Sequence, residues 1–344
     1  MIRPAGIVLA VVLTATPAAG GAHALLWQTN AWGDDIHLID PNDLRVVERI
    51  VVGPHPHGIA VPRIADTVFV TLERNGEARG ELLWIDAASL RVRHRIRVGP
   101  EPHQIAVTPD GRWVYVPCRD GSYWVVDAER KAVVKRIHTG GRPHNTTVSP
   151  DGRFVFLSPM GEAGTVTIVE VGAGHRVVGR IPFADSVRPP AISADGTRFF
   201  QHVDGLNGFQ VADVASRRVV ATARHGTTLG WLQLRPVRLG WLGPDGLARC
   251  HGLAVRPNRA DIWSVCARFA AIHALDDAGY PERAVIELPA KGYWLTFSPD
   301  GRLAFIALSE VDAVAVVDAS RRRLVGRVAV GRGPKRNLVI RSAR

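Results

Sequence analysis

The chain has 344 residues, 46% hydrophobic and 22% charged, with a formal net charge of +11. This composition excludes a disordered protein, and no Lys/Arg-rich run with interleaved aromatics points to nucleic acid. Lys131, Lys135, Lys291 and Lys335 are the only lysines, so the excess is arginine, which leaves open an anionic ligand, an acidic partner or an even spread over solvated strands.

Arg3, the apolar run 7–15 and the small residues ending Ala22-His23-Ala24 have the layout of a secretory signal peptide. Residues 1–24 are expected to be removed, leaving 25–344 as a periplasmic or secreted protein. The apolar run is too short to span a bilayer, and no later stretch reaches that length.

Next, LLWQTN, DIHLID and VVERIVVG read as three short strands with no partner before them. At the far end KRNLVIR, 335–341, reads as one strand with nothing after it. Pairing the two ends would complete a four-stranded sheet and remove its open edges.

Between the ends a unit typified by EPHQIAVTPDGRWVYV, 101–116, recurs. Its marker position holds His57, His103, His144, Arg188, His251, Tyr293 and Lys335. An acidic residue closing an apolar strand precedes each: Asp40, Asp86, Asp127, Glu170, Asp213, Asp276 and Asp318. The separations are 17, 17, 17, 18, 38, 17 and 17 residues, so a single insertion disturbs a constant period. A full unit reads as strand a (HQIAV), a Pro-Asp-Gly turn, strand b (RWVYV), a loop, strand c (SYWVVD), a turn and strand d (AVVKRI). Helical periodicity is absent. The predicted fold is one all-β domain, a seven-bladed β-propeller of four-stranded blades, its ring closed by the N-terminal strands pairing with the C-terminal strand.

Two interruptions fall on one face. The insertion 226–249, rich in Trp and Leu, joins strand d of one blade to strand a of the next, and ERNGEARG, 73–80, expands a b–c loop. Both emerge at the same mouth of the ring. The insertion reads as a packed hairpin, or as a lid or partner-binding patch.

The markers begin the strands nearest the axis, so they are expected to ring this mouth. Neutral imidazoles of His57, His103, His144 and His251 could bind a transition metal such as copper, zinc or iron; alternatively Pro-His is a repeat consensus that caps inner strands. Cys118 and Cys266 each follow a marker histidine by fifteen residues, which places thiol beside imidazole if the hairpins turn centrally. A one-residue change of register instead allows a Cys250–Cys266 disulfide, and buried free thiols are the third alternative. Arg188, Tyr293 and Lys335, with Arg142 and Arg332 nearby, offer a cradle for a small anionic ligand.

Motifs such as VGPEPHQIAVTPDGRWVYV, TGGRPHNTTVSPDGRFVFL and VAVVDASRRRLVGRVAVG resemble the YVTN family of bacterial β-propellers over nearly all of the mature chain. That resemblance implies the fold and leaves function open. The leading reading is an exported binding protein for a metal or small anion, or for a protein partner at the insertion. PHPHG and PHxxxxxPDGR are also similar to lactonase and muconate-cycloisomerase propellers. This likeness implies an enzyme on a small anionic substrate, with His103 or His144 and Arg188 as its catalytic groups. A looser resemblance to heme-d1 propellers implies an iron-binding histidine near the start of an inner strand. The Asp-Gly pairs at Asp110, Asp151, Asp195 and Asp300 are expected to be turns, Asn145 a structural residue, and Trp113, Trp124, Trp263 and Trp294 blade packing.

Overall fold

The computed structural model describes residues 23–64, 66–161, 164–226 and 250–342. The expected signal peptide, apart from His23 and Ala24, and nearly all of the 226–249 insertion lie outside them. Among the described residues, strands β1 to β28 form seven four-stranded antiparallel sheets, each with its strands in the order a, b, c, d. Blades 1 to 6 cover 56–97, 106–138, 142–182, 187–224, 250–287 and 292–329. Blade 7 takes strand a from Pro334–Ser342 and its other three strands from His23–Asn30, Asp35–Asp40 and Arg45–Val51. Trp27 pairs with Leu338 and Leu25 with Ile340, so the two ends close the ring as expected. The strands a of neighbouring blades contact one another around the axis.

Alternation along each strand supplies two apolar faces per blade, and these pack into the adjoining blades. A separate buried cluster fills each of the seven blade-to-blade seams. One example is Trp263, Val265 and Ile272 of blade 5 against Leu295, Ile306 and Val317 of blade 6. The turns follow their residues. Ser149 Oγ and the Arg153 N–H both bond Asp151 Oδ1, at 2.5 and 3.0 Å, with Gly152 left-handed at φ 75°. Five of the acids at the ends of strands c, Asp40, Asp86, Asp127, Asp213 and Asp318, accept backbone N–H bonds, such as Arg321 N to Asp318 Oδ1 at 2.8 Å, and shape the turn into strand d. These acids are turn formers, and none belongs to a candidate metal cluster among the described residues.

Candidate functional site at the mouth of the ring

One local irregularity, repeated around the ring, builds the mouth. In blades 1 and 3 to 7 the pairing of strand a with strand b shifts at the marker position. In blade 3, for instance, Pro143 opposes Pro159 and Asn145 opposes Ser158, so His144 has no opposite residue. Such a bulge turns the extra side chain out of the pleat, here towards the axis. In blade 2 His103 precedes the short strand Ala106–Val107, and its N–H bonds the Pro117 carbonyl at 3.0 Å. Strand-b hydroxyls hold these segments from blade to blade. Thr71 Oγ1 accepts from Gly58 N at 2.8 Å and donates to His103 O at 2.9 Å, while Thr29 donates to His57 O at 3.0 Å. Gly58 is required here, since a Cβ on it would lie 2.3 Å from His103 O.

The marker rings converge. The centroids of His57 and His103 are 3.7 Å apart, those of His103 and His144 3.6 Å and those of His144 and His251 5.8 Å. His251 stacks on Tyr293 at 4.0 Å and gives its Nδ1 proton to the Tyr293 carbonyl at 2.9 Å, which leaves Nε2 free to accept. The Tyr293 hydroxyl lies 3.1 Å from His57 Nε2, and burial pushes that phenol up to about 12. Burial, followed by the charge of Arg336 or of neighbouring imidazoles, holds His57, His103, His144 and His251 well below the usual imidazole range. All four are therefore neutral at physiological pH, the state a metal ligand requires.

Three charged residues complete the site. Glu73, the first residue of the blade 1 b–c expansion, places Oε1 3.3 Å from His103 Nε2 and 4.0 Å from His57 Nε2. Desolvation raises its carboxyl to about 7. Lys335 lies over the Tyr293 ring, its Nζ 4.6 Å from the centroid. Arg336, fully buried, lies 3.8 Å over Trp294 and donates to Asn145 Oδ1 at 3.1 Å. Burial lowers its pKa to about 10, so it remains a cation at neutral pH. Its Nε and Nη1 have no hydrogen-bond partner, and neither do His57 Nδ1 and His103 Nδ1. Orphaned buried donors on a cation mark a place for an acceptor from outside the chain. The inner strands also line an open cavity of 320 Å³, bordered by Ile59, Ile105, Thr146, Pro190, Trp294 and Leu338.

Several expectations are corrected. Cys118 does not reach the ring: it packs in the seam of blades 1 and 2, its thiol donating to Val116 O at 3.6 Å, and burial pushes the thiol pKa up. Cys266 does not face His251, because the bulge displaces His251 and sets Cys250 opposite Cys266, where the two form a disulfide. Arg188 reaches the His144 side of the mouth, with its Nε paired to Asp204 at 2.6 Å. Arg142 and Arg332 stand exposed. Trp294 forms the floor under Arg336 as well as packing, and Asn145 bridges Arg336 to His144, its Nδ2 2.7 Å from His144 Nδ1. Glu73 and Arg336 were not among the expected site residues. The signals for them were the b–c expansion, which begins with Glu73, and the position just after the marker, where Arg336 adjoins Lys335.

Within the ring His57, His103 and Glu73 each offer a ligand atom, and these atoms lie within 4.8 Å of one another. Two imidazoles and a carboxylate suit iron, zinc or copper. Among known families, the model of the cytochrome D1 heme domain matches residues 63–173, a stretch that contains Glu73, His103 and His144. No curated protein matches the chain. Among solved structures, the fold is similar to hydrazine synthase of Kuenenia stuttgartiensis, with 21% identity and a TM-score of 0.67 over 84% of this chain and 96% of that one. It is also similar to dihydro-heme d1 dehydrogenase NirN in complex with DHE, with 17% identity and a TM-score of 0.64 over 95% of this chain and 77% of that one. At these identities the structural likeness establishes the propeller. The family match covers under half of the chain and falls on heme-d1 propellers rather than on the YVTN repeat. Among the described residues no helix is long and apolar enough to cross a membrane.

Proposed function

We propose that the protein is an exported binding protein whose mouth takes a metal-centred anionic ligand, an iron tetrapyrrole of the heme-d1 kind. The observation that carries this reading is the juxtaposition of four neutral imidazoles with a buried, partly unpartnered guanidinium, that of Arg336. Imidazole would ligate the iron, and Arg336 and Lys335 would pair with the ligand's carboxylates. Two cations beside the histidines, Arg336 buried and Lys335 half-buried, disfavour a bare dication but suit a metal that brings negative charge with it. The partial match to the cytochrome D1 heme domain and the likeness to NirN, whose structure holds DHE, support this class of ligand. Export is supported by the N-terminal layout and by the disulfide, which suits an oxidising compartment.

A second reading, a bare transition ion on His57, His103 and Glu73, is favoured by the closeness of those three donor atoms. Titration separates the two. Addition of hemin should give one equivalent of bound pigment with a shifted absorption band, lost in a folded His103→Ala/His144→Ala variant. Binding of cobalt or zinc with no pigment binding selects the bare ion, and binding of neither refutes both.

A further inference from the structure

Blades 4 and 5 bring together a second set of ligand-type side chains outside the mouth ring. His202 lies on strand b of blade 4 and His225 just beyond its strand d, while Cys250 and Cys266 face each other across the first hairpin of blade 5. All four are buried, and one ligand atom from each lies within 4.8 Å of every other. Two sulfurs and two imidazoles are a set that holds zinc or copper(I) tetrahedrally.

The surrounding hydrogen bonds prepare the imidazoles for this. Ser264 Oγ sits among the donors, 2.7 Å from His202 Nε2, 2.9 Å from His225 Nε2 and 3.2 Å from Cys266 Sγ. His273 gives its Nδ1 proton to the Tyr280 carbonyl at 2.7 Å, so its Nε2 accepts. That atom lies 2.9 Å from His225 Nδ1, which must therefore donate. The relay leaves the His225 Nε2 lone pair facing Ser264 and the sulfurs, the support that an outer partner gives a metal-ligating histidine. With Ser264 donating to His225, His202 Nε2 donates to Ser264 and its Nδ1 is left without a partner. A shift of that proton to Nδ1 and a rotation of the Ser264 hydroxyl would free the His202 Nε2 lone pair.

Cys250 and Cys266 are joined in this state, so the set is incomplete until the bond opens. We propose that this cluster is a redox-gated metal site: with the disulfide reduced, Cys250, Cys266, His202 and His225 bind one Zn²⁺ or Cu⁺, and reoxidation expels it. In the forward direction a dithiol reductant gives two electrons and two protons to the sulfur–sulfur bond and leaves as a disulfide. The two new thiols release their protons on binding the ion. In reverse, a disulfide oxidant takes two electrons from the thiolates and two protons from solvent, leaving as a dithiol while the Cys250–Cys266 bond re-forms and the ion departs. This site is independent of the mouth ligand and stands or falls separately.

The test uses cobalt, whose thiolate charge-transfer band reports sulfur ligation, in a His57→Ala/His103→Ala background that silences the mouth. The protein is reduced, freed of reductant without air and titrated. One equivalent should bind with the thiolate band, be released by diamide, and bind at least tenfold more weakly in His202→Ala. In a second measurement on the unmutated reduced chain, zinc should slow alkylation of two thiols at least tenfold, and a chelator should restore the rate. Equal cobalt binding by oxidised and reduced protein, absence of the thiolate band, or alkylation unaffected by zinc would overturn the proposal.

Discussion

Arg336 Nη2 donates to Asn145 Oδ1 at 3.1 Å across 191 residues of sequence and across the axis of the ring. The bond fixes the orientation of the Asn145 amide, whose Nδ2 then donates to His144 Nδ1 at 2.7 Å. The last strand of the chain thus orients a histidine of blade 3, and closing the propeller and assembling its mouth become one event.

Arg336→Met is therefore expected to separate stability from binding. Replacing a buried, partly unpartnered charge by a flexible apolar chain is neutral or stabilising by up to about 4 kcal/mol. Loss of a charged hydrogen bond of about 1.5–3 kcal/mol weakens a carboxylate ligand roughly ten- to hundredfold. Urea unfolding and pigment titration of the same sample check both; a large loss of stability would instead make Arg336 a structural residue.

Gly58→Ala should damage the site from within the scaffold. The new Cβ would meet His103 O at 2.3 Å and Thr71 Oγ1 at 2.8 Å, so backbone must move. A cost of about 1–3 kcal/mol is expected, with weaker ligand binding because His103 moves. Unchanged affinity in the folded variant would show that His103 is not a ligand.

Stability should fall with acid. The folded-state pKa values of His57, His103, His144, His251, His202, His225 and His273 all lie below the ordinary 6.5, burial being the first cause. The unfolded chain binds those protons first, so the stability they contribute is present above pH 6.5 and is lost as pH drops. Glu73 acts in the opposite sense: raised to about 7, it destabilises the ligand-free fold as pH rises from 4.5 to 7. Seven histidines outweigh one carboxyl, so the melting temperature of the ligand-free protein should decline steadily below pH 6.5. Glu73→Gln should leave that decline in place and make binding of a bare ion less dependent on pH near 7.

Removal of residues 334–344 should abolish cooperative folding. It takes strand a from blade 7, exposes the inner edge of His23–Asn30 and opens the seam built by Leu26, Phe305 and Val316. Thermal unfolding would become broad or absent, whereas a native-like transition would mean the ring does not depend on its clasp.

The blades were legible because their signals are local and repeated: alternation, Asp-Gly turns and an acid closing strand c at a fixed spacing. The ring of His57, His103, His144, His251 and Tyr293 was legible by the same register. Glu73 and Arg336 were not: a b–c loop obeys no period, and Arg336 stands one residue past the marker, where other blades carry residues as unlike it as Gly58, Gln104 and Trp294. Cysteine pairing turned on the bulge of blade 5. A regular hairpin would have put His251 opposite Cys266, but the extra residue brings Cys250 there. The cluster of His202, His225 and His273 joins strands b and c and a loop of two blades, which share no register in the sequence.

The most direct measurement is the absorption spectrum and metal content of the protein purified from its native host without tag or chelator, beside a His103→Ala/His144→Ala variant shown to be folded by circular dichroism. A bound iron pigment near one equivalent per chain, absent from the variant, is the predicted result. Pigment-free wild-type protein that also fails to take up hemin or transition metal at the mouth would contradict the proposed function.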